Sequence, residues 1–434
     1  MTQPQTAPAG TGTTTGTGAG TDWRRRAAEL DAADPLAWAR EEFLLDAAPG
    51  VVSYLDGNSL GRPLRATAQR TAAFVHDEWG GRLIRGWTDD GGGGGWLRWP
   101  ELVGDQLGRV ALGAAPGQAV VADSTTVLFY KLARAVVDGA QDGRDEIVTD
   151  TGNFPTDRYV VEGIAAERGL RVRWVKTDPA AGVTVEQVRA AVGPRTALAT
   201  FSHVAYRSGH LADAGAVTAA VHEAGALVLW DLSHSVGSVP LELDAWGVDA
   251  AVGCTYKYLD GGPGAPAFAY LAARHHGRLH QPVQGWMGHA EPFTMGPGYS
   301  PAAGARALVS GTPPVLAMVP VRAGLDLLER AGTHAVRAKS ELLTAFALEL
   351  VDDLLVPLGV QVASPREAAR RGGHVTIRRA GFRTVNDRLW DEGVLPDFRA
   401  PDGIRLGMAP LSTSFAEVLE GVVRLRALLR REGA

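Results

Sequence analysis

Cysteine is almost missing from this chain: Cys254 is the only one in 434 residues. An internal disulfide is therefore excluded, and so is any zinc site built on several thiolates. No apolar run is long enough to span a bilayer as a helix. Neither sign of charge dominates, with 43 Lys and Arg against 48 Asp and Glu, a net charge of −5. That balance gives no reason to expect nucleic acid or an anionic membrane surface as a partner. The first 21 residues hold Thr, Gly, Ala, Pro and Gln without an apolar centre. They cannot act as a secretory signal and cannot bury a core, so residues 1–22 read as a disordered tail. The basic run Arg24, Arg25 and Arg26 reads as a solvated helix face. A cytoplasmic setting fits the single cysteine.

What is present is an ordinary globular composition, 45% hydrophobic and 21% charged. The length suits a large domain with a smaller one. Helical spacing of apolar residues covers 31–43. From 118 to 272 short apolar runs alternate with helical patterns. Runs at 119–122, 146–149, 171–175, 197–201, 226–230, 250–252 and 267–271 read as about seven strands. Helices are expected from near Thr125, from Thr156, and over 185–192 and 216–224. Unbroken apolar strands separated by helices indicate a mostly parallel sheet covered on both faces. After residue 310 the pattern changes to two long helices (315–331 and 335–351), a strand at 375–378, a helix at 385–391 and a short strand at 404–406. A last helix opens on Ser414 and Glu417, spaced as a capping box. This is a separate α+β domain. The boundaries expected are an arm at 23–64, a large domain at 65–310 and a small one at 311–434.

Ligands of such sheets sit beyond the carboxyl ends of the strands. Those ends carry Asp123 to Thr126, Asn153 to Asp157, Ser202 and His203, Asp231 to Ser235, and Lys257. Each alone is most simply a turn or helix cap. Together they hold hydroxyls, carboxylates, histidine and a lysine, which favours one shared site. The chemistry that needs this set is that of pyridoxal phosphate (PLP). Its pyridine nitrogen needs a carboxylate, and Asp231 can supply one. Its aldehyde needs an amine, and Lys257 can supply one between Tyr256 and Tyr258. Its phosphate needs hydroxyls and N–H groups at a helix start, where Thr125 and Thr126 stand. Phe154 can cover one face of the ring. The stretch from Arg82 to Pro100 carries Trp87, Trp96 and Trp99 with a glycine run from Gly91 to Gly95. It reads as a mobile loop whose tryptophans either wall a pocket or tuck into the core.

The motifs L-D-G-N-S-L-G-R-P (55–63), D-S-T-T-V (123–127), F-P-T-D (154–157), S-H-V-A-Y-R-S-G (202–209), Asp231 to Ser235, Tyr256-Lys257-Tyr258, Q-G-W-M-G-H (284–289), G-T-P-P (311–314) and Ile404-Arg405 together resemble kynureninase. They run in that family's order over nearly the whole folded chain. The resemblance implies a fold type I PLP enzyme, α/β with a seven-stranded sheet and a smaller C-terminal domain. It implies hydrolysis of L-kynurenine to anthranilate and L-alanine, with 3-hydroxykynurenine as a second candidate substrate, in the kynurenine pathway that degrades tryptophan and feeds NAD biosynthesis. Lys257 would be the Schiff-base lysine and Asp231 the pyridine partner, with Tyr256 an acid/base. Thr125, Thr126, Phe154, Asp157, Ser202, His234 and Tyr256 would line the cofactor. Trp286 and Thr312 would reach the phosphate across the interface of a homodimer. Arg405 would clamp the substrate α-carboxylate bidentately, with Asn58 and Trp87 also on the substrate side. No metal is implied. Two positions depart from the pattern: Leu128 and Asp260 stand where asparagine is expected.

Three rivals are weaker. A cysteine desulfurase-like lyase needs a mobile cysteine, and Cys254 falls in a strand end. A dinucleotide oxidoreductase needs G-x-G-x-x-G after the first strand, and residues 122–127 hold no glycine. A non-catalytic binding module has no need of Lys257, Asp231 and Arg405 together.

Overall fold

The computed structural model describes residues 21–88, 95–141 and 143–432. Residues 1–20 of the tail reading, and most of the glycine run, lie outside them, while Asp22 at the end of that reading caps the first helix. In chain order the first part holds α1 (Trp23–Ala32), β1 (Ser53–Leu55), α2 (Arg65–Ala73) and α3 (Trp99–Leu107). Then come β2 (Ala119–Ala122), α4 (Thr125–Asp138), β3 (Glu146–Asp150), α5 (Pro155–Arg168), β4 (Arg171–Val175) and α6 (Val185–Ala191). They are followed by β5 (Thr196–Ser202), α7 (Ala214–Glu223), β6 (Leu227–Asp231), β7 (Ala250–Gly253) and β8 (Ala267–Leu271). The last part is α8 (Val315–Ala331), α9 (Thr333–Leu354), β9 (Gln361–Val362), β10 (His374–Arg378), α10 (Phe382–Asp391), β11 (Val394–Arg399), β12 (Gly403–Gly407) and α11 (Phe415–Glu432).

The large sheet has seven strands in the order β2-β8-β7-β6-β5-β3-β4. β8 runs antiparallel to both neighbours and the other pairings are parallel. The carboxyl ends of β2, β3, β5, β6 and β7 therefore share one edge. The inner strands β7 and β8 are buried along their whole length, and β3, β5 and β6 at all but one end residue, because both faces are covered. Phe201 and Trp230 point into one core layer, and Leu198 and Leu229 into the other. Edge strand β4 instead places Arg171 and Arg173 outward, which blunts an open edge against further pairing. Leu128, one of the two departures, is fully buried beside Phe129 and Leu132, so packing accounts for an apolar residue there.

The small sheet has the order β1-β11-β12-β10-β9. β1 joins it in parallel to β11, which brings the 55–63 motif to the front of this sheet. Two local expectations change. Helical spacing at 31–43 resolves into α1, capped by Asp22 accepting from the Arg25 N–H, and a 3-10 turn over Ala37–Glu42. At α11 Ser414 caps the Glu417 N–H at 3.2 Å. The Glu417 carboxylate does not close the box. It accepts from the Tyr54 N–H at 2.8 Å and from Arg40 at 3.0 Å, because these half-buried donors lie on β1 and the preceding arm. Asp31 supplies the missing caps, accepting from the Phe415 and Ala416 N–H groups.

Candidate active site

At the shared strand edge a cavity of about 190 Å³ is lined by Ser124, Thr125, Thr126, Phe154, Thr156, Asp157, Asp231, Ser233, His234, Tyr256 and Lys257, with Ala265 and Ala267. Depressions of about 610 and 710 Å³ lie elsewhere, beside Trp246 and Tyr299, and neither is lined by a lysine.

One end of the cavity is the start of α4. Ser124 is its cap, accepting from the Val127 N–H at 3.4 Å. Thr125 and Thr126 are its first two residues, so their hydroxyls join the unsatisfied N–H groups of the first turn. Such an end attracts an anion. Asp123 just before it adopts φ +43°, and its carboxylate holds Lys131 at 2.6 Å.

The opposite wall comes from β6 and the segment after β7. Asp231 is buried, and its Oδ1 accepts from the Ser233 N–H at 2.8 Å. Lys257 is also buried, its Nζ 3.2 Å from His234 Nε2 and 5.9 Å from the centre of the Tyr256 ring. Burial, followed by Lys257 and Arg405, holds the His234 pKa well below the ordinary value. His234 is thus a neutral imidazole that can accept from the lysine. Burial, reinforced by Cys254, raises the Tyr256 pKa, so its phenol keeps its proton and serves as a donor. Burial, then the neighbouring Asp231 and Asp150, raises Asp157 well above the carboxylate range. Its Oδ2 has no hydrogen-bond partner among the described residues.

This donor set fits PLP. An anion-seeking helix start, a buried carboxylate, a buried lysine and an aromatic ring surround one cavity. The orphaned Asp157 oxygen marks a polar group left for a ligand or water to meet.

Other singled-out residues stand further out. Ser202 does not line the cavity; its hydroxyl donates to Asn153 Oδ1 at 2.6 Å and so braces the turn that carries Phe154. Phe154 meets Tyr206 edge-on at 5.3 Å. Trp87 packs edge-on against Trp96 at 5.5 Å, and Trp96 packs on Phe74, Val315 and Val319. Within one chain these tryptophans form a small core and do not wall the cavity. Trp286 is 39% exposed, and Thr312 is exposed as well.

Arg405 is buried on β12 and is already engaged. Its Nε and Nη2 reach Asp397 Oδ2 at 2.6 Å, Nη2 donates to Ser59 Oγ at 2.8 Å, and Nη1 to the Tyr206 carbonyl at 2.8 Å. A free bidentate fork is therefore not what the structure holds. Asn58 is fully buried, and neither amide atom has a partner among the described residues. Sequence reasoning missed Ser124, Thr156 and Ser233, which lie inside quoted motifs but were given no role. It also missed Asp397 and His374, whose places depend on strand pairing.

Residues 336–425 match the model of the kynureninase C-terminal domain. The chain is 39% identical over 414 residues to a kynureninase from Burkholderia pseudomallei, covering 94% of this chain and 96% of that protein. It is 39% identical over 409 residues to a kynureninase from Pseudomonas fluorescens, covering 93% and 94%. Its fold superposes on a cysteine desulfurase from Thermococcus onnurineus with a TM-score of 0.76 at 16% identity, covering 91% of this chain and 98% of that one.

Proposed function

The chain belongs to the kynureninase family, and from that premise we propose that it hydrolyses the Cβ–Cγ bond of L-kynurenine to anthranilate and L-alanine with PLP as cofactor. It is then a hydrolase acting on a carbon–carbon bond of a ketone, with 3-hydroxykynurenine the second substrate to test. The observation that carries this reading is the meeting of Asp231, Lys257 and the α4 threonines around one cavity, in a chain matched to kynureninases over almost its full length. The desulfurase alternative is not favoured, because Cys254 is buried and the likeness to desulfurases lies in the fold alone.

When bound, PLP supplies the electron sink for carbanions beside the substrate amine. Thr125, Thr126 and the first turn of α4 would hold its phosphate. Asp231 would keep the pyridine nitrogen protonated, and Phe154 would cover the ring. Lys257 would hold the cofactor at rest and, once displaced by substrate, move the α-proton. Neutral His234 gives its ammonium an acceptor. Tyr256, still protonated at neutral pH, would donate at the γ-ketone while water adds there. Asp157, Ser202 and Arg405 would brace the cofactor turn and the substrate's amino-acid end.

Trp286 and Thr312 face outward, so we read them, with Trp87, as serving a second copy's site in a homodimer. The partner called for is a small molecule, and no described helix is long and apolar enough to cross a membrane. The single buried cysteine supports a cytoplasmic setting.

Purified protein given PLP and L-kynurenine should release fluorescent anthranilate and L-alanine in equal amounts. Lys257→Ala should abolish both products and the visible absorption of lysine-bound cofactor. A normal cofactor spectrum without anthranilate would remove this function and leave the fold unaffected.

A further inference from the structure

Around Arg405 the structure gathers buried polar atoms that no protein group satisfies. His374, at the start of β10, is fully buried, and neither ring nitrogen has a hydrogen-bond partner among the described residues. Orphaned nitrogens of this kind cost free energy unless a ligand or water meets them. Strand register says what lies beside this ring. His374 is directly opposite Gly407 on β12, and Thr376 is opposite Arg405. Directly opposed and diagonal residues on one face of a ladder lie within side-chain reach. Position 407 has no side chain of its own. A Cβ built there would fall 1.8 Å from Asn58 Oδ1, so the Asn58 amide fills that place. His374, Asn58 and Arg405 are therefore neighbours on one face of the small sheet. Across from them stands His234, its ring centre 6.0 Å from that of His374, and beyond it Lys257.

Counting donors sharpens the point. Asp397, Ser59 and the Tyr206 carbonyl each accept a hydrogen bond from a different Arg405 nitrogen, and Nη2 is also 2.6 Å from Asp397 Oδ2. A carboxylate arriving here needs further donors, and buried uncommitted ones near it are the Asn58 amide, the His374 ring and the Tyr258 hydroxyl, the last lying 2.6 Å from where a Cβ at Gly373 would stand. Burial, then Arg405, Lys257 and Arg399, holds the His374 pKa well below the ordinary value, opposed by the Tyr206 backbone, which is close to the ring without making a well-formed hydrogen bond to it. The ring is neutral, with one N–H and one lone pair. Of the nearby cations, Arg405 and Arg399 share the Asp397 carboxylate, and Asp56 lies 4.0 Å from Arg405.

We propose that His374 is a substrate-binding residue that, with Asn58, completes the clamp which Arg405 alone cannot make on the α-carboxylate of the amino-acid substrate. This rests on the kynureninase reading for the identity of the substrate, and not for the presence of an amino-acid subsite. The holoenzyme of His374→Phe keeps a flat ring and removes both nitrogens. KM for L-kynurenine should rise roughly ten- to a hundredfold, the size expected for losing a hydrogen bond to a charged group, with a smaller fall in kcat. Binding of L-alanine, read from the change it makes in the cofactor's visible absorption, should weaken by a similar factor. Cofactor affinity and the resting spectrum should not move. His374→Gln, which restores an N–H donor, should recover most of the loss, and it reads the same quantity if the Phe variant does not fold. Wild-type KM and L-alanine affinity in His374→Phe would overturn the proposal, as would a loss that Gln repairs in neither measurement. If the wild-type protein binds L-alanine but forms no anthranilate, the kynureninase reading fails and the L-alanine titrations still decide the role of His374.

Discussion

Asp260 adopts φ +53°, a left-handed conformation in which a short polar side chain such as Asp or Asn is tolerated. It lies under Gly61, whose N–H donates to the Tyr256 carbonyl at 2.8 Å. A Cβ at Gly61 would fall 2.2 Å from the Asp260 Oδ1, so the two segments fit only with glycine there. That Oδ1 has no hydrogen-bond partner among the described residues. Burial raises the Asp260 pKa well above the carboxylate range, and Arg62 opposes this weakly. The native protein thus holds a proton here that the unfolded chain gives up above about pH 4. A raised native pKa gives stability that is full below the unfolded value and is lost as pH rises through the native one. Asp260→Asn has the same shape and cannot ionise. Its melting temperature should match wild type near pH 4 and decline less steeply between pH 5 and 8. Parallel melting curves across that range would sink the idea. At this scale the sequence was most informative where function is local. Asp231, Lys257 and Thr125 each stand next to a strand end, and the cavity joins them. Asp397 and His374 were not legible, because their meaning comes from β10 and β11 pairing with β12.

The elements that hold the site depend on a buried cation. Lys131, inside α4, is fully buried and donates to Asp123 Oδ2 and the Leu308 carbonyl, each at 2.6 Å, and to the Ser310 hydroxyl. It ties the α4 start to the segment that leads into Gly311 and Thr312. The Met287 N–H donates to the Ser310 carbonyl at 3.2 Å, which joins the neighbourhood of Trp286 to the same knot. Removing one partner of a buried pair leaves the other uncompensated. Lys131→Met should lower unfolding stability by roughly 3 kcal/mol and weaken PLP binding. Adding Asp123→Asn should return part of the stability, because the stranded carboxylate is gone. Denaturant unfolding of the single and double variants checks this, and a double variant no more stable than the single one would count against it. The inner strands of the large sheet were legible as short apolar runs, a pattern that burial on both faces imposes, whereas edge strand β4 alternates Arg171 and Arg173 with apolar residues. β11 was not, because Val-Leu-Pro-Asp-Phe-Arg mixes a proline with charged groups and is only partly buried.

At the scale of the whole molecule, the outward residues raise the question of what covers them. Trp286 meets Phe293 edge-on at 5.8 Å, yet Phe293 is 56% exposed and Met295 73%. Thr312 follows the Lys131 knot, is exposed, and does not line its own chain's cavity. No pattern within one chain says which surface a partner buries, so Trp286 and Thr312 could be singled out only by resemblance. If two copies share sites, each cavity is built from Lys257 of one copy and Trp286 of the other. Lys257→Ala and Trp286→Ala then damage different halves of a site. Trp286→Ala alone should bind PLP more weakly and show little activity at limiting cofactor, while Lys257→Ala should show none. When the two variants are mixed, dissociated and allowed to re-pair, about half of the dimers should be mixed. In each mixed dimer one site combines both lesions and the other combines both intact residues. Activity at limiting PLP should therefore climb to about a quarter of wild type, well above the mean of the two parents. A mixture that stays at that mean after proven subunit exchange would show that each chain completes its own site, and Trp286 would then lose its proposed role.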